Sequence, residues 1–428
     1  MKRIEKQLDS DQIRFNCRLK LFFQLLLIII VIFSGCAGKN PHKIVVWHSF
    51  RPIERLVLKS VLSEFAPRFP QWEFTELFYD PETARSNFLI SAMGGSGPAL
   101  FRGANDNVGP MVELGVIQPL DSFFSQATLD SFLTQPFAAN TYFNGRLYQI
   151  ADQIGNHLCL VYNKALLTTP PQTVNQLIEI GKKLTIDRDQ DGRIDQYALV
   201  WNYAEPFFAV PFIGGYGGWI IDEQYRPTLN TEAVAKAAAL INELANVHKI
   251  IPLECDYEIS NALFKDGLAA MIINGSWSWG TYIEAGIDIG LARIPQIDET
   301  GLWPTPAVQP MGYSLNANLE GEKLRVACAL LAYLTSSETQ LRFTSVSGTI
   351  PSRIDAYKNP LVQDNPLVRA SLEQLLVGRL TPPVTELRWI WDAMRPSYQA
   401  VFNGKISPQQ AAENMQLLAE RLIRENRE

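Results

Sequence analysis

Two short stretches carry side chains in spacings that chemistry could use. The first, DRDQDGRID, runs from Asp187 to Asp195. Asp187, Asp189 and Asp191 alternate, Gly192 falls where an EF-hand loop turns sharply, Arg193 can offer its carbonyl, and Asp195 stands at the ninth position. Hard oxygen ligands at this spacing suit Ca2+. The bidentate acid of a full loop is absent, since Ala198 occupies the twelfth position. A solvated turn between helix and strand is the competing reading, and a bound ion would brace the loop rather than do chemistry. The second stretch, IINGSWSWG, places Trp277 and Trp279 just past the turn signal Asn274-Gly275, in a chain with only nine tryptophans. If both lay on a strand they would share a face. Packing under a helix is the commoner use of such a pair, and display at the mouth of the strand is the other. The sequence holds no G-x-S-x-G, H-E-x-x-H, P-loop or G-x-G-x-x-G context. His42, His157 and His248 are too scattered for a metal cluster.

The elements that position these residues follow a strand and helix alternation. HKIVVWHSF reads as a buried strand, and the next helix shows Ile53, Leu56, Val57, Val61, Leu62 and Phe65 at helical spacing, with Pro52 in its first turn. WEFTELFY, a helix from Pro81 to Met93, the turn GGSGP and the strand ALFRGAND repeat the pattern. Such alternation argues for a parallel sheet built of crossovers, with ligands outside the carboxyl ends of its strands. Trp47 to Phe50 and Arg102 to Asn107 therefore fall at a potential cleft. The middle of the chain stays mixed, Pro295 to Gly312 reads as a linker by its turn chemistry, and the remainder is mainly helical.

The first residues read as an export leader rather than fold. Lys2, Arg3, Lys6, Arg14, Arg18 and Lys20 precede an apolar stretch, Leu21 to Phe33, broken only by Gln24. Its 13 residues fall short of the about 20 that a bilayer span needs. Phe33-Ser34-Gly35-Cys36 resembles a bacterial lipobox, which predicts a signal peptide over 1–35, an N-terminus lipidated at Cys36 with diacyl and N-acyl chains, and an anchor linker over 36–42. Beyond residue 35 the chain carries 32 basic against 41 acidic groups, net −9. That balance leaves no electrostatic footprint for nucleic acid or for lipid headgroups. Cys159, Cys255 and Cys328 sit in apolar surroundings such as LCLVY and VACALLAYL, and read as small buried hydrophobes. Roughly 390 residues suggest two domains.

Five segments, taken in order, resemble one family. DYEISNALFKDGLAAMIINGSWSW carries the densest likeness; NGRLYQIADQIGNHLCLVYNKALL, EPFFAVPFIGGYGG, SGTIPSR and NGKISPQQAAENM carry the rest. The chain resembles the extracellular solute-binding protein family 1, which includes the maltose/maltodextrin-binding proteins and other sugar-binding components of ABC importers. The resemblance implies an α/β, two-lobed periplasmic-binding-protein fold, type II-like. Each lobe would be a mostly parallel sheet flanked by helices, with the ligand cleft between them. One lobe would be roughly 43–152 plus 306–352, the other roughly 153–305 plus 353–428. It implies a monomeric binding protein on the outer face of a membrane, held by lipidated Cys36, that closes about a hinge on a sugar or glycoside and presents it to permease subunits.

The resemblance also assigns site residues. A sugar offers hydroxyls at its edge and C–H patches on its faces, so its binder needs flat rings flanked by fixed polar groups. Trp277 corresponds to a stacking ring with Trp279 as neighbour or support, and Phe207 and Trp391 fall where the family places further rings. Trp389 would turn away from Trp391, because residues two apart on a helix diverge. Glu205, Asp106 and Asn107 match positions that bond sugar hydroxyls. Arg102, Asn156 and the loop from Ser49 depart from the maltodextrin binders, and VVWHSF is similar to binders of glycerol-phosphate-type ligands, in which His48 would contribute a donor. No cofactor is implied beyond the possible structural Ca2+. The cleft carboxylates Asp106 and Glu205 leave a glycoside hydrolase as the enzymatic alternative, but nothing around them marks a proton donor. An anchored scaffolding lipoprotein, with no ligand, is the third class.

Overall fold

The computed structural model describes residues 42–134, 137–203 and 205–427. The predicted leader, Cys36 and all but His42 of the anchor linker lie outside them. The first strand, β1 (Lys43–His48), feeds α1 (Pro52–Phe65), which opens on a proline that needs no hydrogen-bond donor at that position. It buries Leu58, Val61, Leu62 and Phe65 along one stripe. β2 (Glu73–Phe78), α2 (Pro81–Met93), β3 (Leu100–Ala104), α3 (Val108–Glu113), β4 (Ile117–Gln118), β5 (Thr141–Phe143) and β6 (Arg146–Ile154) complete the first pass. β1 and β3 pair in parallel, Val46 beside Leu100, as the crossover pattern predicts.

The chain then crosses to a second lobe. There it forms β7 (Leu158–Asn163), α4 (Val174–Leu184), β8 (Tyr197–Val200), α5 (Pro206–Gly215), α6 (Glu232–Asn246), α7 (Tyr257–Lys265), β9 (Ala269–Gly275), α8 (Ser276–Glu284) and β10 (Ile289–Ala292). The sheet order is β10-β7-β9-β8. β9 is buried at every position, the mark of a strand covered on both faces.

The return passes through β11 (Ala307–Val308) into β12 (Met311–Asn316), α9 (Gly321–Leu334), α10 (Ser337–Ser347) and β13 (Ile350–Pro351), all on the first lobe. The last crossing leads by α11 (Pro366–Leu375) and β14 (Arg379–Leu380) to α12 (Thr385–Phe402) and α13 (Pro408–Arg427) on the second lobe. β11 and β14 pair as a short parallel ribbon between the lobes. The expected linker, Pro295 to Gly312, is thus a crossing that already carries β11 and the start of β12.

The sheets are mixed rather than mostly parallel. In the first, of order β13-β6-β12-β3-β1-β2, β12 runs antiparallel to both neighbours. Met311 faces Ala104, the end of β3, and Gln153, near the end of β6. β6 leaves for the second lobe, and β12 returns from it, at that same end, so their directions must oppose. The same logic sets β7 antiparallel to β9, with Leu158 beside Gly275. The helix-connected pair β8 and β9 keeps the parallel sense. Among the described residues no helix is long and apolar enough to cross a membrane. Cys159 and Cys255 are buried, Cys328 is half-buried, and all three are free thiols. Burial pushes the thiols of Cys159 and Cys255 up to about 12, so neither offers a thiolate at neutral pH.

Candidate functional site

The buried strand β9 ends where the chain crosses, which brings Gly275 and the start of α8 to the gap between the lobes. A Cβ on Gly275 would collide with the Trp277 ring, so the glycine lets the indole lie back over the strand end. The two tryptophans follow a helix here, not a strand. Two residues of helix carry side chains to opposing sides: Trp277 is half-buried, while Trp279 is wholly buried in the core of the second lobe. Asn274 anchors the turn. Its amide donates to the Tyr282 hydroxyl at 2.8 Å, and that hydroxyl donates to Asn261 Oδ1 at 2.6 Å.

Around Trp277 the second lobe assembles a row of rings. Phe207, at the start of α5, lies 6.3 Å from Trp277 and 6.3 Å from Trp391, with both pairs inclined rather than parallel. Trp391 comes from α12 and is buried, 5% exposed, in the core of the second lobe, whereas Trp389 turns away to a site 5.4 Å from the Arg427 guanidinium. Beside the row, Arg395 forks both oxygens of Glu205 at 3.1 and 3.0 Å. Glu205 raises the pKa of that guanidinium by bonding its charged form. The sequence reading missed Arg395, although its i+4 spacing from Trp391 places both on one helix face.

The first lobe contributes the turn after β3. Asp106 and Asn107 are half-buried, and the Asn107 amide donates to Ala104 O at 3.0 Å and to Asp106 Oδ1 at 3.2 Å. Burial pushes the Asp106 carboxyl above its ordinary range, against the pull of Arg388 from α12. Other predicted residues are engaged elsewhere. Arg102 is 5% exposed and forks Asp152 at 2.6 and 3.0 Å, with its guanidinium 3.9 Å from the Phe50 ring centre. His48 is fully buried; its Nδ1 accepts from Phe50 N at 3.0 Å, which leaves Nε2 to donate to Glu76 at 2.8 Å. Burial lowers its pKa to about 4. Ser49, between them in sequence, is half-buried. Asn156 lies in the first crossing at φ 42° and donates to Gln309 Oε1 at 3.1 Å. Buried charges and donors need partners within the protein, and these residues found them in the lobe interior and the hinge.

Several polar contacts join the lobes across the cleft. Arg51 Nη2 donates to the Tyr257 hydroxyl at 3.3 Å. Arg388 pairs with Glu82. Thr385 donates to Glu113 at 2.7 Å, and Arg427 pairs with the same carboxylate at 3.0 Å. None of Arg51, Tyr257, Glu82 or Arg388 was singled out from sequence, because each acquires its meaning only from a partner on the other lobe.

In the acidic loop, ligand atoms of Asp187, Asp189 and Asp195 come within 4.8 Å of one another. Asp191 faces inward on its own turn, accepting from Arg193 N at 2.8 Å. Gly192, at φ 88°, adopts the left-handed backbone that the sharp turn requires. Asp187 Oδ2 accepts from Gly192 N, while its Oδ1 is buried without a partner.

Comparison with known proteins supplies the context for this geometry. Residues 62–370 match the family described as bacterial extracellular solute-binding protein. The maltose/maltodextrin-binding domain MalE from Bdellovibrio bacteriovorus, solved bound to maltotriose, superposes with a TM-score of 0.86 at 44% identity, over 89% of this chain and 100% of that one. The maltotriose-binding protein of Pyrococcus abyssi is 23% identical over 82% of this chain and 76% of its own. The galactooligosaccharide-binding protein of Bacillus subtilis is 26% identical over 74% and 75%.

Proposed function

Because the chain belongs to the bacterial extracellular solute-binding protein family, a family of binders rather than enzymes, we propose that it captures a linear maltooligosaccharide between its lobes and delivers it to the permease of an ABC importer. The observation that carries this reading is the row Trp277, Phe207, Trp391 with the Glu205–Arg395 fork at its side. The rings meet the C–H faces of pyranoses, and the fork and Asp106 meet the hydroxyls. A wrong epimer leaves buried polar groups unpaired at about 1–3 kcal/mol each, which gives the discrimination its size. Closure follows from the contacts the lobes make only when shut, and a ligand that bridges them favours that state. The names of the relatives support the sugar class, and the lipobox supports anchoring through Cys36.

The test is thermal unfolding against maltotriose, galactooligosaccharide, glucose and glycerol 3-phosphate. A ligand at 100 times its Kd adds about 2.7 kcal/mol, so maltotriose raises Tm and the others raise it less or not at all. A shift with glycerol 3-phosphate alone, or release of glucose from maltotriose, rejects the reading. Anchoring is tested by fractionating cells that express the full chain and Cys36→Ser, which moves the protein out of the membrane fraction.

We also propose that the acidic loop holds Ca2+ through Asp187, Asp189 and Asp195, with the unpartnered Asp187 Oδ1 as the supporting observation. The ion would brace the link between α4 and β8. Calorimetric titration with CaCl2 after EDTA treatment checks it: the expected result is one weak site in the range of extracellular modules, abolished in Asp187→Asn.

A further inference from the structure

We propose that the aromatic groove is closed at both ends by lobe-to-lobe contacts, Arg51–Tyr257 at one and Glu82–Arg388 at the other, and that the protein thereby selects short oligosaccharides over long or cyclic ones. This rests on the sugar-binding reading above and goes beyond it, to ligand length and to the residues that set it.

The order of the rings locates the ends. Phe207 touches both Trp277 and Trp391, so it occupies the middle, with the two tryptophans outermost. The Tyr257 hydroxyl lies against the Trp277 side chain. Arg51 reaches the same hydroxyl from the first lobe at 3.3 Å, its guanidinium 5.7 Å from the centre of the Tyr257 ring. At the opposite end, Arg388 is one helical turn before Trp391 on the same face of α12, and it pairs with Glu82 of α2. A short ligand fits between these bridges. A longer chain, or a ring of sugars, must break one of them to pass.

Tyr257 is a fixed wall. It opens α7, whose cap Asp256 accepts from Ile259 N at 2.8 Å. Its carbonyl accepts from Asn261 Nδ2 at 2.6 Å and from Ser260 Oγ at 2.9 Å, and Asn261 is itself tied to the Asn274 and Tyr282 pair beneath Trp277. Arg51 is held at its backbone, where its N–H donates to Glu54 at 3.1 Å. The two ends differ in strength. The Glu82 end is reinforced by Thr385 and Arg427 on Glu113, whereas at the Tyr257 end the polar contact is the one hydrogen bond from Arg51, beside close packing of Gly280 in α8 against Ile53 and Val346. Long ligands should therefore breach the Tyr257 end first.

Calorimetric titration of the intact protein with maltotriose, maltoheptaose and β-cyclodextrin tests this. The unmodified protein is expected to bind maltotriose about tenfold or more tighter than the two larger sugars, the effect of breaking one charged hydrogen bond. Arg51→Ala and Tyr257→Ala should bring that ratio close to one, and Arg51→Lys should restore part of it. Glu82→Gln, at the reinforced end, should change the ratio less. Should Tyr257→Ala fail to fold, Arg51→Ala carries the test, since Arg51 lies in a surface loop. Equal affinity of the unmodified protein for all three sugars overturns the closed-end proposal and leaves the function standing, as does a ratio that Arg51→Ala does not move. Binding of none of the three overturns the sugar reading and this proposal with it.

Discussion

The two walls of the cleft are built from different materials. The second lobe presents the half-buried rings Phe207 and Trp277, with the buried Trp391 packed behind Phe207, backed by a core in which Trp279 and Tyr282 are fully buried. The first lobe presents a polar turn, Asn105 to Asn107, and behind it buries charge: Arg102 on Asp152, Glu54 nearby, and His48 on Glu76. The contrast teaches a division of labour. Apolar faces give contact that tolerates small shifts of a ligand, whereas a charged network in a dry interior demands fixed geometry and so makes a rigid jaw for the other to close upon.

That division predicts that charge substitutions in the first lobe act on stability and ring substitutions in the second act on affinity. The largest effect is expected for Arg102→Ala, which strands buried carboxylates and should lower the unfolding free energy by about 3–5 kcal/mol in urea titrations. Joint replacement of Arg102 by Met and Asp152 by Leu should recover much of it. A variant Arg102→Ala as stable as the parent but weaker for sugar would break the comparison by moving Arg102 into the binding face. Next in size is the acid response. Burial holds His48 and His157 at about 4 against an ordinary 6.5, so the unfolded chain takes up these protons first. Their contribution is complete above about pH 6.5 and is lost as pH falls toward 4, on the order of 3 kcal/mol for each group. His48→Gln should flatten the dependence of the urea midpoint on pH across that window. Smallest in free energy, Trp277→Ala should weaken sugar binding about tenfold, near 1.4 kcal/mol, with Tm of the unliganded protein little changed; a large fall in Tm would show that the ring acts as core.

The sequence disclosed the apolar and local parts of this design best. The helix after Pro52, the strand before Asn274 and the divergence of Trp389 from Trp391 follow from spacing alone. The split between Trp277 and Trp279 was hidden because helix α8 starts at Ser276 with no side-chain cap, so the tryptophans read as a strand pair. Arg102 looked available because its partner Asp152 lies 50 residues away, and Glu76 stands 28 residues from His48. Long-range pairing of charges leaves no periodicity to read. The sense of β12 was likewise invisible, since it depends on which side of the molecule the chain returns from.

The placement of β12 between β3 and β6 has a consequence for how the protein is made. A ribosome must deliver residue 316 before the first sheet has its middle strand, and the second lobe still waits for α12 and α13. The first half cannot mature before β13 emerges and the second not before α13, so the polypeptide stays incompletely folded until late, which would suit passage across a membrane as an open thread. Moving the segment 311–316 forward by circular permutation, to precede β3, should let the first half fold early, and export of such a chain should slow accordingly.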